Sequence, residues 1–139
     1  MISGLNHITL AITDLTRAVE FYRDVLGCEI VSLHDSGAYF QVGELWLCLC
    51  VDSKAAAQSR SDYTHIAFSI ASAEFAAFEE KLARLGVPIW QENRSEGRSI
   101  YFCDPDGHKL EVHVGTLESR LAAMSPRFGA SADGCCGPV

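Results

Sequence analysis

Two strands joined by a tight turn are predicted by the stretch Ser99-Ile100-Tyr101-Phe102-Cys103-Asp104-Pro105-Asp106-Gly107-His108-Lys109-Leu110-Glu111-Val112-His113-Val114. The residues Asp104-Pro105-Asp106-Gly107 fit a type I turn, with Asp first, Pro second and Gly fourth. In the strand that follows, alternation places Leu110, Val112 and Val114 on one face and Glu111 and His113 on the other. Burying a carboxylate in such a strand costs free energy unless a partner compensates its charge, so Glu111 is the first candidate functional residue.

Composition and charge limit the kind of protein that this chain forms. With 139 residues, 48% of them hydrophobic, the chain fits one compact domain or two half-size units sharing a core. Eleven basic against eighteen acidic residues give a net charge of −7, which argues against nucleic-acid or anionic-membrane partners. The sequence lacks a signal-peptide pattern, an apolar run of roughly 20 residues and a disulfide-type cysteine framework, so we expect a soluble cytoplasmic protein.

The chain contains an internal repeat. Each half starts with a strand carrying a histidine, His7 or His65, and continues with an amphipathic helix that ends at Gly27 or Gly86. The separations are 20 residues from His7 to Gly27 and 21 from His65 to Gly86, so the halves superpose with a one-residue insertion. Three short strands follow each helix. The sequence therefore predicts an α+β fold of two βαβββ repeats.

The repeat sets the predicted boundaries. We expect one domain over residues 1–123, and a flexible tail over residues 125–139, where Pro, Gly, Ala and Ser predominate. Within the domain the predicted parts are repeat one over 1–52, a polar linker over 53–62, repeat two over 63–115 and a closing helix over 116–124.

His7, His65 and Glu111 are the candidate metal ligands. Each is expected on the strand face opposite the apolar residues, so all three side chains can point into one concavity. A single strand histidine is more often a structural or surface residue, but two at equivalent repeat positions beside an inward carboxylate favour a metal site. The ligand types suit a divalent first-row metal without separating Mn, Fe, Ni and Zn, and we expect His113 to support Glu111 from behind.

Several further motifs resemble one family. They are Leu5-Asn6-His7-Ile8-Thr9-Leu10, Gly37-Ala38-Tyr39, Leu45-Trp46-Leu47-Cys48-Leu49, Asp62-Tyr63-Thr64-His65, Asn93-Arg94-Ser95-Glu96-Gly97 and Tyr101 to Glu111. With these motifs the chain, up to about residue 123, resembles the vicinal oxygen chelate superfamily, in which paired βαβββ units form a cupped mixed sheet around a metal. More narrowly, it resembles the fosfomycin-resistance glutathione transferases.

The resemblance implies an activity and an assembly. An Mn²⁺ ion held by His7, His65 and Glu111 would assist addition of glutathione to the epoxide of fosfomycin, a small phosphonate. A domain-swapped homodimer would share its sites between the two chains. The resemblance also implies catalytic roles for Thr9, Tyr39, Tyr101 and Arg120; substrate contacts from Thr9, Trp46, Ser95, Ser99, Tyr101 and Arg120; and a K⁺ loop of Asn93, Ser95, Glu96, Gly97 and Ser99.

One position departs from the family pattern. Gln91 stands where these enzymes usually carry a phosphonate-binding lysine, and an amide supplies no charge. We therefore expect weaker fosfomycin binding or a different native substrate, with Arg98 as a compensating cation. The alternatives are another metalloenzyme of the superfamily, such as an epoxide hydrolase, a glyoxalase-like isomerase or a dioxygenase, and a non-catalytic drug-binding protein. In the first repeat, Cys48 is the expected counterpart of Glu111.

Overall fold

A computed structural model of the chain describes residues 1–55 and 61–124. The chain divides into two compact units, the first made of Met1–Arg60 with Cys103–His108 and the second of Ser61–Phe102 with Lys109–Val139. Residues 56–60 of the predicted linker lie outside the described residues, as does the predicted tail over 125–139 with Cys135 and Cys136. Among the described helices, none is both long enough and apolar enough to span a membrane.

The elements follow the predicted order. In the first unit they are β1 His7–Ile12, α1 Leu15–Glu20, a single π-helical turn Phe21–Val25, β2 Glu29–His34, β3 Gly37–Val42 and β4 Leu45–Val51. In the second they are β5 Ile66–Ser69, α2 Phe75–Leu85, β6 Ile89–Gln91, β7 Arg98–Cys103, β8 Lys109–Val114 and α3 Leu117–Ala123. The strand predicted to carry His65 begins one residue later than that, so His65 lies directly before β5.

Each unit contains one four-stranded mixed sheet. The strand orders are β1-β4-β3-β2 and β5-β8-β7-β6, and the first strand of each unit pairs in parallel with the last. The two orders are the same once β5 is counted as the first strand of its unit. This identity of topology confirms the α+β class and the two βαβββ repeats.

Local sequence signals define the helix ends. Asp14 caps α1, its carboxylate accepting a hydrogen bond from the backbone N–H of Arg17 at 2.9 Å. Gly86 ends α2 with φ +65°, a left-handed conformation that glycine adopts without steric cost, and the N–H of Val87 then reaches the carbonyl of Leu82. Both signals are read directly from the sequence.

The apolar face of each sheet packs against its own helix. In the first unit the most fully buried large side chains are Tyr22, Phe40, Ile12, Leu47 and Leu49. In the second unit they are Phe102, Leu82 and Leu110, and the rings of Phe78 and Phe102 lie 5.9 Å apart. The opposite face of each sheet is thereby left for polar and aromatic side chains.

The Asp104–Gly107 turn belongs to the first unit, and a buried carboxylate holds it there. The turn closes with a hydrogen bond from the N–H of Gly107 to the carbonyl of Asp104 at 3.0 Å. One oxygen of Asp104 accepts from the N–H groups of Asp106 and His108, and the other accepts from the Tyr22 hydroxyl at 2.8 Å. The π-helical turn that carries Tyr22 is thus bonded to the Asp-Pro-Asp-Gly motif.

His108 departs from the solvent exposure that is the default for a histidine in a turn. Its Nε2 lies 2.7 Å from the carbonyl oxygen of Ala11, and the residue is half-buried. The turn is packed against β1 rather than extended into solvent, which explains the difference.

Replacing Asp104 by asparagine tests how the buried carboxyl group contributes to the stability of the turn. Burial raises the pKa of Asp104 from its ordinary value of 3.8, so in the folded state the protonated form is favoured over a wider pH range. The contribution of this group to stability is therefore complete below pH 3.8 and declines as the pH rises through the higher folded-state pKa. We expect the free energy of unfolding of the wild type, minus that of D104N, to fall with rising pH in urea titrations over this interval.

The control is D35N, which removes the same charge from an exposed turn. The raised pKa of Asp104 would be contradicted if the difference in free energy of unfolding between wild type and D104N rose with pH. A difference equal to that between wild type and D35N would contradict it as well.

Candidate functional site

His65 and Glu111 form the centre of the site in the second unit. Glu111 lies in β8 beside Ala67 of β5, and His65 lies two residues before Ala67. The imidazole Nε2 of His65 is 2.9 Å from a carboxylate oxygen of Glu111, which is only 7% exposed. The predicted pair of ligands is therefore in contact within one unit.

The hydrogen bond to Tyr63 determines which ring nitrogen of His65 carries the proton when the ring is neutral. Its Nδ1 lies 2.7 Å from the carbonyl oxygen of Tyr63, which can only accept, so the Nδ1 carries a proton. In the neutral ring, Nε2 then presents a lone pair to a carboxylate oxygen, and two acceptors at 2.9 Å repel each other. A proton shared by the two groups, or a metal ion bound by both atoms, would remove this repulsion.

The spacing also suits a metal. Nitrogen and oxygen ligands that each lie about 2.1 Å from a divalent ion, at right angles to one another, are about 3.0 Å apart. The observed 2.9 Å between His65 and Glu111 matches that separation. Across residues 1–55 and 61–124, no group of three His, Cys, Asp or Glu side chains is close enough to hold a metal ion. The second unit thus brings two of the three candidate ligands into contact.

Ser99 connects Glu111 to His113. The Ser99 hydroxyl lies 2.6 Å from the second carboxylate oxygen of Glu111 and 2.8 Å from Nδ1 of His113. A hydroxyl has one proton, which it donates to the carboxylate, so it accepts from His113 and keeps a single unused lone pair. This arrangement favours the predicted cation contact of Ser99 over its predicted contact with a phosphonate, because no proton remains for a phosphonate oxygen.

Three aromatic rings surround His65. The rings of Tyr63, Trp90 and Tyr101 lie 5.0, 5.6 and 5.8 Å from its imidazole, centre to centre. Burial chiefly raises the pKa of Tyr101, so its hydroxyl keeps its proton at neutral pH and remains a donor. Sequence reasoning missed Tyr63 and Trp90. The position of Tyr63, two residues before His65, was the available signal for the first.

The predicted K⁺ loop is closed by its own side chains. The Asn93 carboxamide accepts from the N–H and hydroxyl of Ser95 and donates to the carbonyl of Gly97. The Ser95 hydroxyl lies 3.4 Å from the hydroxyl of Tyr101, and Arg120 donates to the carbonyl of Glu96 at 3.3 Å. The structure therefore brings the loop, Tyr101 and Arg120 together.

Gln91 and Arg98 lie on opposite faces of the second sheet. Gln91 pairs with Tyr101 across an irregular register, and its amide nitrogen is 3.4 Å from the Tyr63 hydroxyl. The Arg98 guanidinium lies over the ring of Phe75 in α2, 4.1 Å from its centre. The expectation that Arg98 compensates for Gln91 is wrong, because alternation along β7 turns Arg98 to the helix side.

In the first unit, His7 begins an exposed row of rings. His7 lies 4.7 Å from Trp46, which lies 5.2 Å from Tyr39, which in turn is 5.1 Å from His34. The Nδ1 of His7 is 2.7 Å from the side-chain oxygen of Asn6, so its Nε2 keeps a lone pair, as in His65. Thr9 lies on the same strand face two residues along.

The register identifies the counterpart of Glu111 in the first unit. Thr9 and Ala67 each stand two residues after the histidine of their repeat, and they pair with Cys48 and Glu111 respectively. Cys48 is therefore the equivalent of Glu111, as the sequence predicts. Each unit thus contributes a different set of predicted site residues: His7, Thr9, Tyr39 and Trp46 in the first; His65, Asn93, Ser95, Glu96, Gly97, Ser99, Tyr101, Glu111 and Arg120 in the second.

Known proteins resemble this chain over most of its length. Residues 4–112 match the Glyoxalase/Bleomycin resistance protein/Dioxygenase superfamily. The glutathione transferase FosA of Serratia marcescens is 47% identical over 88% of this chain and 89% of its own, and the metallothiol transferase FosB of Shouchella clausii is 43% identical over 88% and 87%.

One solved structure adds a ligand-bound relative. It is a glutamate-to-glutamine variant of the fosfomycin resistance protein FosX of Listeria monocytogenes, complexed with Mn(II) and 1S,2S-dihydroxypropylphosphonic acid. The match has a TM-score of 0.73 and 37% identity, and covers 88% of this chain and 99% of the other. The chain therefore belongs to the glyoxalase superfamily and, within it, to the family of fosfomycin resistance enzymes that includes FosA, FosB and FosX.

Substitution of Gly97 tests the packing behind Glu111. Gly97 has φ +82°, and a Cβ there would lie 2.9 Å from the ring of His113 and 3.0 Å from the carbonyl of Val114. Gly43 has φ +59° with nothing within 4 Å of such a Cβ. We expect G43A to lose about 1 to 3 kcal/mol through backbone strain alone and G97A to lose more, measured as free energies of unfolding in urea. Equal losses would show that His113 yields to the new methyl group at no cost.

Proposed function

We propose that the protein is an Mn²⁺-dependent glutathione transferase that inactivates fosfomycin by opening its epoxide. The observation that carries the proposal is the 2.9 Å approach of His65 Nε2 to a buried Glu111 oxygen, with the Nδ1 proton already committed to Tyr63. FosA is named a glutathione transferase and is the relative described above with 47% identity. The relatives reported above are named for fosfomycin resistance or thiol transfer.

The proposed ligands are His7, His65 and Glu111. In the proposed domain-swapped homodimer, His7 of one protomer completes the site formed by His65 and Glu111 of its partner. A bound Mn²⁺ would act as a Lewis acid on the epoxide oxygen. The Nδ1 partners of both histidines leave Nε2 as the donor atom, which is the protonation state that a metal ligand requires.

The remaining side chains bind and orient the substrate. Thr9, Tyr101 and Arg120 supply donors and one positive charge for the phosphonate, with Trp46 and Ser95 as further contacts, and Tyr39 lies near the thiol. The rings of Tyr63 and Trp90 form an aromatic wall beside His65, next to the proposed metal site.

The reaction balances without a further reagent. The glutathione thiolate forms a C–S bond at the ring carbon that bears the phosphonate, while the C–O bond at that carbon breaks and its electron pair remains on oxygen. That oxygen then takes up the proton that the thiol released, directly or through water. A K⁺ ion in the loop of Asn93, Ser95, Glu96, Gly97 and Ser99 would add positive charge facing the anionic substrate. The unused lone pair of the Ser99 hydroxyl supports this role.

Hydration of the epoxide is the second candidate. It is favoured by one observation, the 37% identical FosX structure that contains a dihydroxypropylphosphonic acid. Addition of water to the epoxide of an epoxypropylphosphonic acid gives such a diol. The two activities differ in nucleophile alone, so the same assay separates them.

The deciding experiment uses NMR to identify the product formed from fosfomycin, either the thioether adduct or the diol. Purified protein with fosfomycin, Mn²⁺, K⁺ and glutathione is expected to form the thioether adduct, and E111Q, which keeps the side-chain shape but removes the charge, is expected to lose nearly all turnover. Formation of diol with glutathione present would establish the hydrolase instead. If neither product forms with either thiol, both candidate functions are refuted. L-cysteine in place of glutathione tests the choice of thiol.

Gln91→Lys tests the departure from the family pattern. Gln91 faces the same side of the sheet as Tyr101, so an ammonium group there would add a charge-assisted hydrogen bond to the phosphonate. We expect Q91K to lower the KM for fosfomycin about tenfold with little change in kcat.

The matched control is E92Q, which makes the same change in net charge at the neighbouring exposed position. If Q91K and E92Q change KM alike, or neither does, the lost lysine has no specific effect on phosphonate binding.

A further inference from the structure

His113 occupies a closely fitted position behind Glu111. We propose that His113 is a positioning residue that acts through Ser99 to hold the Glu111 carboxylate in its metal-binding orientation. The inference rests on the proposed function for its metal and on the structure for the arrangement of the residues. It assigns His113 a role in ligand orientation, not in metal ligation or in contact with substrate.

The direction of the hydrogen bonds is fixed by elimination. The Glu111 carboxylate can only accept, so the Ser99 hydroxyl donates to it at 2.6 Å. Ser99 must then accept at its oxygen, so the proton at the 2.8 Å contact belongs to Nδ1 of His113. With one Glu111 oxygen held by Ser99, the other is directed at His65. Partners of this kind usually set both the orientation and the affinity of a metal ligand.

The His113 ring packs against the backbone of two glycines, where a side chain would collide with it. A Cβ on Gly97 would lie 2.9 Å from the Cε1 of the ring, and a Cβ on Gly115 would lie 2.7 Å from its Nε2. Both glycines have positive φ, at +82° and +154°. The backbone before β7 and after β8 therefore encloses the far edge of the ring, while the near edge, Nδ1, faces Ser99.

His113 is poorly placed to ligate the metal itself. Its Nδ1 is 3.7 Å from the Glu111 oxygen that Ser99 already occupies, and its proton is committed to Ser99. Its Nε2 faces Gly115. Unused as a ligand, the ring is left with the role of a hydrogen-bond donor.

The first unit supports a linked role for the two residues. Pairing with Ala11 and Ser69, each four residues after the histidine of its repeat, places Cys50 and His113 at equivalent positions. Cys48 and Cys50 thus replace Glu111 and His113 together. Where the carboxylate is absent, the residue that would orient it is absent as well.

Two amide variants separate a donor role from simple filling of space. The side-chain nitrogen of asparagine is placed as Nδ1 is, two bonds beyond Cβ, whereas that of glutamine reaches the place of Nε2. H113N therefore retains a donor toward Ser99, and H113Q does not. Electron paramagnetic resonance of unbound Mn²⁺, titrated into the full-length protein, gives the metal affinity, and urea unfolding shows whether each variant is folded.

We expect H113Q and S99A each to weaken Mn²⁺ binding by about 10- to 100-fold, and H113N to stay within about threefold of wild type. The double variant S99A/H113Q is expected to bind no more weakly than S99A, since the two residues act in series. In the metal-free wild type, nitrogen–proton NMR correlations of His113 are expected to place its proton on Nδ1.

Wild-type affinity in H113Q, equal losses in H113N and H113Q, or a ring proton on Nε2 alone would each overturn the proposal. Should H113Q fail to fold, the ring proton of His113 in the wild type decides, because a proton on Nε2 alone would leave Nδ1 without a donor for Ser99. Failure of the proposed function is distinct: it would appear as wild-type protein that binds Mn²⁺ no better than E111Q.

Discussion

Burial of carboxylates in one hairpin is the constraint on which this structure depends. The buried polar or charged residues among those described are Ser99, Asp104, Asp106 and Glu111. All four lie between the start of β7 and the middle of β8. An unpartnered buried charge costs several kcal/mol, so each carboxylate determines what surrounds it. In the first unit the partners of Asp104 and Asp106 fix the turn, and in the second the partners of Glu111 form the site.

Asp104 and Asp106 meet this constraint with donors from the first unit. Asp106 accepts from the backbone and the hydroxyl of Thr13, at 2.9 and 2.6 Å, and Asp104 accepts from Tyr22. Glu111 is different, because one of its oxygens faces a nitrogen that has a lone pair in the neutral ring. The partners of the turn carboxylates are all protein donors, although Oδ2 of Asp106 has no hydrogen-bond partner among the described residues. The Glu111–His65 pair instead needs a proton or a metal ion between two acceptor atoms. This contrast is the physical reason for treating one carboxylate as structural and the other as functional.

Much of the fold could be predicted from the sequence, because its signals are local. Asp14, Gly27 and Gly86 mark helix ends through capping and left-handed conformations that depend on neighbouring residues alone. Strand alternation also predicted which face of β8 carries Glu111, and that Cys48 is its counterpart in the first repeat. Local signals do not reach features that a distant contact or a register shift decides. His108 bonds to Ala11, far away in sequence, and the irregularity between Ile89 and Gln91 accompanies the placement of Trp90 beside His65. The error at Arg98 was avoidable, since alternation already separates it from Ser99.

The candidate site has a densely bonded part around Glu111 and a sparsely bonded part at Gln91. Glu111 is held through both oxygens, so any change among His65, Ser99 or His113 alters how the ligand is presented. Gln91 has one long contact, at 3.4 Å to Tyr63, and its replacement disturbs little else. Substrate preference can therefore shift at residue 91 while the ligand geometry stays intact. A charge introduced at residue 91 is therefore expected to change what a phosphonate meets and to leave the two hydrogen bonds of the Ser99 hydroxyl intact.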